Sequence, residues 1–429
     1  MSSRTPFLIP PIIRSFDVEI TLPGSKSIAL RQLAMAALAK GTTHLIGIPD
    51  CDDTNAMIDC LIALGVSIEG DGEATIVKGP MDFGPATVNL NARMSGASTR
   101  LLIGMAALRK GVTHIDGHSS LRARSNQPLF NVLQKHGCKV ESASGGLPAT
   151  ITGPIEVCPS LTIDGSLSSQ YITAILLIAP MTCPESGQTL NISGDLVSRP
   201  YLDITLHEMN KSGVKAHWLN DKTIVVEQSQ YQNGQRTVEG DATAATYFSA
   251  LATAHGGTVT LTNLDQTTHQ GDYEFCDVME SLGAKVERQG RTRIVGPSQL
   301  MPLPNVDMQT MPDAALTLIA MSPLLPGTNT IRGLQSLHHK ECDRLECSAA
   351  ELRAMGVEVS TTLDTITIEA IDPALLNPHT LTTYHDHRMA MAFSLLGSRC
   401  ETLQIDDKSV VNKTYPNYWR DYKKLLKDK

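Results

Sequence analysis

Residues 61–70 read LIALGVSIEG, and the same cadence returns as LQKHGCKVES (133–142), MNKSGVKAHW (209–218), MESLGAKVER (279–288) and LRAMGVEVST (352–361). In each, a helix-like stretch runs into a glycine and then into alternating residues rich in Val and Ile. Glycine there reads as a helix stop, because it takes the left-handed conformation without steric cost. The alternation that follows is that of a half-buried strand. The glycines are Gly65, Gly137, Gly213, Gly283 and Gly356, spaced 72, 76, 70 and 73 residues apart. Such a fixed period marks an internal repeat.

A second feature keeps the same phase. Six times a strand-like run meets a turn of small or polar residues and then a strongly apolar helix: ITLPGSKSIALRQLAMAAL, VNLNARMSGASTRLLIGMAAL, LTIDGSLSSQYITAILLIAP, VEGDATAATYFSALATA, MQTMPDAALTLIAMSPL and TYHDHRMAMAFSLLG. The markers Lys26, Gly96, Ser169, Asp241, Asp313 and Asp386 are 70, 73, 72, 72 and 73 residues apart. The two features together predict an α/β (α+β) fold of six βαβαββ-like units. At this period each unit is a small subdomain rather than a solenoid rung. Helices apolar on nearly every side should be buried. Two groups of three units would give two similar domains with a cleft between them.

Composition bounds the function. The chain has 429 residues, with 36 Lys+Arg against 44 Asp+Glu, a net charge of −8. That balance argues against nucleic acid as a partner, which calls for a basic face. Apolar stretches reach about ten residues where a membrane span needs about 20, and Met1–Ile20 lacks the basic lead and cleavage site of a secretory leader. The nine cysteines are scattered with no C-x-x-C. They read as reduced thiols of a cytoplasmic protein used as small hydrophobes, not as metal ligands.

The polar turns that open the apolar helices carry the chemistry. Helix N-termini offer free N–H groups and the positive end of a dipole. Taken singly, Ser and Asp there are caps, and Asp241 reads as one. Six turns in phase that also carry cations point to an anion site. Lys26 lies in PGSKS without the Gly-x-x-x-x-Gly frame of a P-loop. With Arg31, Arg100, Arg124, Lys340, Arg344, Arg388 and Lys413 it makes eight candidate cations in an acidic chain. If these converge, a ligand with several negative charges should balance them, as phosphate and carboxylate groups on two small substrates would. No Gly-x-Ser-x-Gly elbow suggests a serine nucleophile, and Ser168–Ser169 suits phosphate better. His338 and His339, without a metal partner, read as solvated. Trp218 and Trp419 read as packing residues.

GSKSIALR, SGASTRLL, GSLSSQYITA, SRPYLDITL, VEGDATAATYF, MPDAALT, KECDR and YHDHRMAMAFSLL, in this order over essentially the whole chain, resemble the EPSP synthase family of enolpyruvyl transferases. The resemblance implies two domains of three βαβαββ units each. One holds residues 1–20 and 240–429, because the first strand returns to it; the other holds residues 21–239. The active site would lie in the interdomain cleft. It implies transfer of the enolpyruvyl group of phosphoenolpyruvate to the 5-hydroxyl of shikimate 3-phosphate, releasing phosphate, with no metal or organic cofactor. Lys26, Ser27, Arg31, Ser168, Ser169, Gln170, Ser198 and Tyr201 match positions that hold shikimate 3-phosphate, with Lys340 and Ser336 near its phosphate. Arg124, Arg344, Arg388, Lys413 and the Gly96 backbone match positions around phosphoenolpyruvate. Asp313 matches the group that takes the 5-hydroxyl proton. Glu341 and Lys26 match those that deliver and remove a proton at the methylene carbon. A monomer in the cytoplasm is expected.

The chain departs from the family pattern at Met94 and Ala97 around Gly96, at Ser125 for a usual proline, at Ser336 for an asparagine, and at Cys342 where KETDR reads KECDR. Two alternatives are weighed against this reading. One is the sister reaction on UDP-N-acetylglucosamine, whose members carry Lys-Asn at Lys26-Ser27 and a cysteine in the 115–125 loop, both absent here. The other is a non-catalytic phosphometabolite-binding paralogue, against which stand Lys26, Asp313, Glu341, Arg388 and Lys413.

Overall fold

The computed structural model describes residues 6–70 and 72–426. The chain divides into two compact units, Gly24–Val238 and the discontinuous pair Met1–Pro23 with Glu239–Lys429. Each has its own hydrophobic core.

The middle of the Gly24–Val238 unit shows the repeat plainly. Strands Val88–Asn91, Val112–Asp116, Ala149–Thr152 and Lys139–Ser142 lie side by side in that order. The first pair is parallel and the other two are antiparallel. A parallel pair needs a crossover, which the helix Gly96–Ala106 supplies; Gln127–Lys135 then leads into the hairpin. This is the βαβαββ unit. Strands Ser160–Asp164, Gln188–Ser193, Thr223–Val226 and Ala216–Asn220 repeat it. So do Val306–Asp307, Thr328–Arg332, Ile366–Glu369 and Val359–Thr361 in the other unit.

The remaining three sheets are completed from a distance. Asp17–Ile20 precedes the helix Lys26–Leu38 in sequence but pairs in parallel with Thr258–Leu261. Gly234–Thr237 precedes the helix Ala242–His255 but pairs in parallel with Gly41–Ile46. The division between units falls after Pro23 and after Val238, between strand and helix each time. Each strand therefore stays with the unit that the chain is leaving. The sixth sheet has three strands among the described residues: His379–Leu381, Leu403–Ile405 and the N-terminal Phe7–Leu8, which runs antiparallel in place of the hairpin.

The five repeated glycines all follow a helix and have φ between 88° and 100°. Burial of the helices is as their composition requires: thirteen of the fourteen residues of Ala242–His255 and all eleven of His387–Gly397 are buried. Helices buried all round must approach closely. A Cβ on Gly104 would lie 2.8 Å from the Ala174 carbonyl oxygen, so glycine is what lets Gly96–Ala106 meet Ser169–Thr182. Close-packed cores of this kind leave the polar first turns of the helices as the places where charge can gather.

Candidate functional site

In the unit containing Glu239–Lys429, three helix starts and one helix end bring charges together. Asp313 sits just before the helix Ala315–Met321, Arg344 opens Arg344–Ala354, Arg388 is second in His387–Gly397, and Lys413 ends the 3₁₀ turn Lys408–Lys413. Asp313 Oδ1 lies 2.9 Å from Arg344 Nη1 and 3.3 Å from Lys340 Nζ, and its Oδ2 accepts from Arg388 Nη2 at 3.0 Å. Glu341 Oε1 accepts from Lys413 Nζ at 2.8 Å and Oε2 from Arg344 Nη2 at 2.9 Å. Arg344, 1% exposed, donates through Nε to Asp386 Oδ2 at 2.7 Å. Asp386 caps the helix after it by accepting from the Arg388 amide at 2.9 Å.

The electrostatics follow from this lattice. Burial pushes the Asp313 carboxyl up, but Arg388, Lys340 and Arg344 outweigh it and hold Asp313 well below the usual carboxylate range. Burial opposes the Arg344 charge, yet Asp386, Glu341 and Asp313 raise its pKa above the usual value. His387, wholly buried beside Arg388, is driven far below the usual imidazole range, by burial first and then by Arg388, so it stays neutral. Asp272 is the opposite case to Asp313. Burial and then the Asp313 charge push it up to about 7. Its Oδ2 accepts from Thr243 Oγ1, and its Oδ1 is buried without a hydrogen-bond partner.

In the Gly24–Val238 unit the charged groups are held differently. Lys26 opens the helix Lys26–Leu38 and lies 3.3 Å from Asp53 Oδ2. Arg31, one turn on and 6% exposed, donates to the Ser27 carbonyl (2.7 Å), Thr205 Oγ1 (2.8 Å), the Tyr201 carbonyl (2.9 Å) and Thr173 Oγ1 (3.4 Å). Desolvation by burial lowers its pKa to about 10. Gly96 opens Gly96–Ala106, and a Cβ there would lie 2.7 Å from both Arg100 Nη1 and Arg124 Nη1. Ser168 caps Ser169–Thr182 by accepting from the Gln170 amide at 3.2 Å. Ser198 is buried at φ 56°, a left-handed conformation rare for serine, just before Tyr201 in Pro200–Lys211. Residues held so are enriched at functional sites.

The structure thus brings Asp313, Lys340, Glu341, Arg344, Arg388 and Lys413 into one cluster. Gly96 and Arg124 are adjacent, and Arg31 touches Ser27 and Tyr201 through their carbonyls. Ser336 is half-buried in the 3₁₀ turn Gln335–His339. Part of the charge balance in the C-terminal cluster comes from the protein itself: four cations surround Asp313, Glu341 and Asp386. One expectation is corrected: His338 is not a solvated histidine. Its Nδ1 is 2.8 Å from Asp343 Oδ2 and its Nε2 is 3.1 Å from the Leu363 carbonyl, so its neighbours hold it. Asp241 does cap its helix, accepting from the Ala244 amide at 2.9 Å.

Sequence reading passed over Asp53, Asp386 and Tyr247, whose hydroxyl accepts from Arg388 Nη1 at 3.1 Å. Asp386 carried a signal, since it stands in the same repeat phase as Asp313. Asp53 carried none beyond an acidic helix start. Among the described residues no group of three or more His, Cys, Asp or Glu could hold a metal ion. No helix there is long and apolar enough to cross a membrane.

Comparison with known proteins places this arrangement. The family model of EPSP synthase (3-phosphoshikimate 1-carboxyvinyltransferase) matches residues 12–422. The 3-phosphoshikimate 1-carboxyvinyltransferase of Aliivibrio salmonicida is 38% identical over 422 residues, 96% of this chain and 98% of that relative. That of Photobacterium damsela subsp. piscicida is 36% identical, with the same coverage of each. Among solved structures, EPSP synthase from Acinetobacter baumannii superposes with a TM-score of 0.78 at 25% identity, covering 98% of both chains. The enolpyruvyl transferase NikO from Streptomyces tendae gives 0.75 at 16% identity, covering 99% of this chain and 98% of its own, a likeness of fold alone.

Proposed function

The chain belongs to the EPSP synthase family, and on that premise we propose that Lys26, Asp313 and Glu341 move the protons of its reaction. The reaction is transfer of the enolpyruvyl group of phosphoenolpyruvate to the 5-hydroxyl of shikimate 3-phosphate, with release of phosphate, in aromatic amino-acid biosynthesis. The observation that carries the assignment is the division of labour inside the C-terminal cluster. Asp313 is kept ionised by three cations, the unprotonated form that an acceptor for the 5-hydroxyl proton must have. Glu341 lies between Arg344 and Lys413.

Proton delivery to the methylene carbon makes an oxocarbenium-like centre, which the 5-hydroxyl oxygen attacks while its proton passes to Asp313. The tetrahedral adduct then loses phosphate as a proton leaves the same carbon. Glu341 and Lys26 serve as donor and acceptor at that carbon, the usual work of positioned acid–base groups. Arg344, Arg388, Lys413, Arg124 and the Gly96 backbone hold the phosphate and carboxylate of phosphoenolpyruvate. Arg31, Ser27, Ser168, Ser169, Gln170, Ser198, Tyr201, Lys340 and Ser336 hold the phosphorylated acceptor. The enzyme works as a cytoplasmic monomer, a reading that size-exclusion chromatography tests.

Phosphate release is the direct test. Phosphoenolpyruvate with shikimate 3-phosphate should liberate phosphate, and phosphoenolpyruvate with UDP-N-acetylglucosamine should not. Release with the nucleotide sugar alone would overturn the acceptor. Binding of shikimate 3-phosphate without release would mark a binding protein.

A further inference from the structure

We propose that His338 is a positioning residue for the proton chemistry: as an imidazolium it clasps the segment 339–342, which carries Lys340 and Glu341, between a helix start and a hairpin turn. The clasp stands on geometry alone; its bearing on turnover rests on the roles given to Lys340 and Glu341 above.

Residues 340–343 lie between the 3₁₀ turn Gln335–His339 and the helix Arg344–Ala354, in neither helix nor strand. Side chains on such a segment are placed only as well as the scaffold fixes its ends. The upstream end is tied to the hairpin turn between strands Val359–Thr361 and Ile366–Glu369. There the Leu334 amide donates to the Asp364 carbonyl at 3.0 Å, and the Gln335 amide to Asp364 Oδ1 at 3.1 Å. The downstream end is the N-cap Asp343, whose Oδ1 accepts from the Glu346 amide at 3.1 Å. His338 joins the two ends. Its Nδ1 lies 2.8 Å from Asp343 Oδ2 and its Nε2 lies 3.1 Å from the Leu363 carbonyl oxygen. From the segment so closed, Lys340 Nζ reaches Asp313 Oδ1 at 3.3 Å, and Glu341 reaches Arg344 and Lys413.

A carboxylate and a carbonyl only accept. A neutral imidazole has one N–H and can make one of these bonds; the imidazolium makes both. The surroundings favour that form. Burial opposes the charge, but the bonds to Asp343 and the Leu363 carbonyl, with the charges of Asp343 and Glu346, outweigh it and raise the pKa above the usual imidazole value. The other charged groups about the ring are Asp364 beside Leu363, and His339 and Lys340 on its own segment. With the folded value raised, the clasp is whole below about pH 6.5 and loses a bond as pH rises through the folded value.

Arginine keeps several donors and does not titrate, whereas alanine removes the clasp. The test is therefore phosphate release against pH for the parent, His338→Arg and His338→Ala, with an NMR titration of the histidine rings, the His338 resonance being assigned by its absence from the variants. That resonance should titrate above pH 6.5, and the kcat of the parent relative to His338→Arg should fall through the same midpoint. His338→Ala should lower kcat by about tenfold at pH 6.5, within the loss of up to about 10²-fold that ångström-scale misplacement causes. Should His338→Arg not fold, His338→Ala assigns the resonance, and its profile must lack the parent's upper step. A His338 titration at or below pH 6.5, identical profiles for parent and His338→Arg, or parental kcat in His338→Ala would overturn the proposal. An enzyme that releases no phosphate at any pH would refute the functional reading instead, and the NMR titration would still decide the clasp.

Discussion

The two units hold their cations by opposite means. In the Glu239–Lys429 cluster, Arg344 and Arg388 bond carboxylates, and every candidate cation there has an acidic neighbour within 3.3 Å. In the Gly24–Val238 unit, Arg31 bonds two carbonyls and two hydroxyls. Neutral acceptors orient a guanidinium without cancelling its charge, so Arg31 retains its pull on an anionic ligand. Asp313, among cations, is instead held in its ionised form. On the function proposed above, holding of the phosphorylated acceptor falls mainly to one unit and proton movement mainly to the other, with Lys26, paired to Asp53, given both tasks.

The largest effect should come from removing the carboxylate at the centre of the lattice. Asp386→Ala leaves Arg344, 1% exposed, short of its closest partner. Breaking a buried pair costs about 3–5 kcal/mol, and a cap is lost as well, so urea unfolding should show a stability loss of that order. A loss under about 1 kcal/mol would mean that Asp313 and Glu341 alone satisfy Arg344.

Next comes Asp272, which sharpens the comparison inside one cluster. Its folded-state pKa is raised to about 7, by burial first. Between pH 4 and 7 the folded state keeps a proton that the unfolded chain releases, so stability falls as pH rises, and the whole penalty is present above pH 7. Asp272→Asn should therefore stabilise the protein at pH 8, by roughly 1–3 kcal/mol, and leave it unchanged near pH 4. Thermal melts across that range check the slope. Asp313 has the reverse sign: its contribution is present above the unfolded carboxyl pKa and is lost as pH falls through its depressed value.

Arg31→Met tests the other unit. Loss of charge-assisted hydrogen bonds is worth about 1.5–3 kcal/mol, so the KM for shikimate 3-phosphate should rise by about 10- to 10²-fold with a smaller change in kcat. A fall in kcat alone would place Arg31 in the proton chemistry instead. The smallest effect is expected of Gly96→Ala. The nearest atoms to its Cβ are the guanidinium ends of Arg100 and Arg124, which terminate long side chains. The fold should survive, and the KM for phosphoenolpyruvate should rise several-fold as the two guanidiniums give way.

The repeat was legible because its markers are local. The left-handed glycines, the buried helices and the polar first turns are each written in a few consecutive residues, and all keep the period of about 72 residues. Strand exchange was only half legible. Nothing in DVEI or GQRT says which sheet will take the strand, since pairing is a long-range choice made by the edge left open. The family resemblance supplied the first exchange and not the second. In the site, the cations stood out as charges entering apolar helices. Their partners stood out less: Asp53 reads as an ordinary helix start, Asp386 shows only through the repeat phase it shares with Asp313, and His338 reads as solvated because its partner, the Leu363 carbonyl, lies 25 residues on.

The central claim is that the carboxylates of the C-terminal cluster move protons while the acceptor is held chiefly by other groups. Glu341→Gln, measured for single-turnover phosphate release and, by calorimetry, for shikimate 3-phosphate affinity, tests it most directly. Release should slow by at least about 10²-fold while affinity for shikimate 3-phosphate stays within a few-fold of the parent. Release at the parental rate, or affinity lost in step with rate, would contradict it.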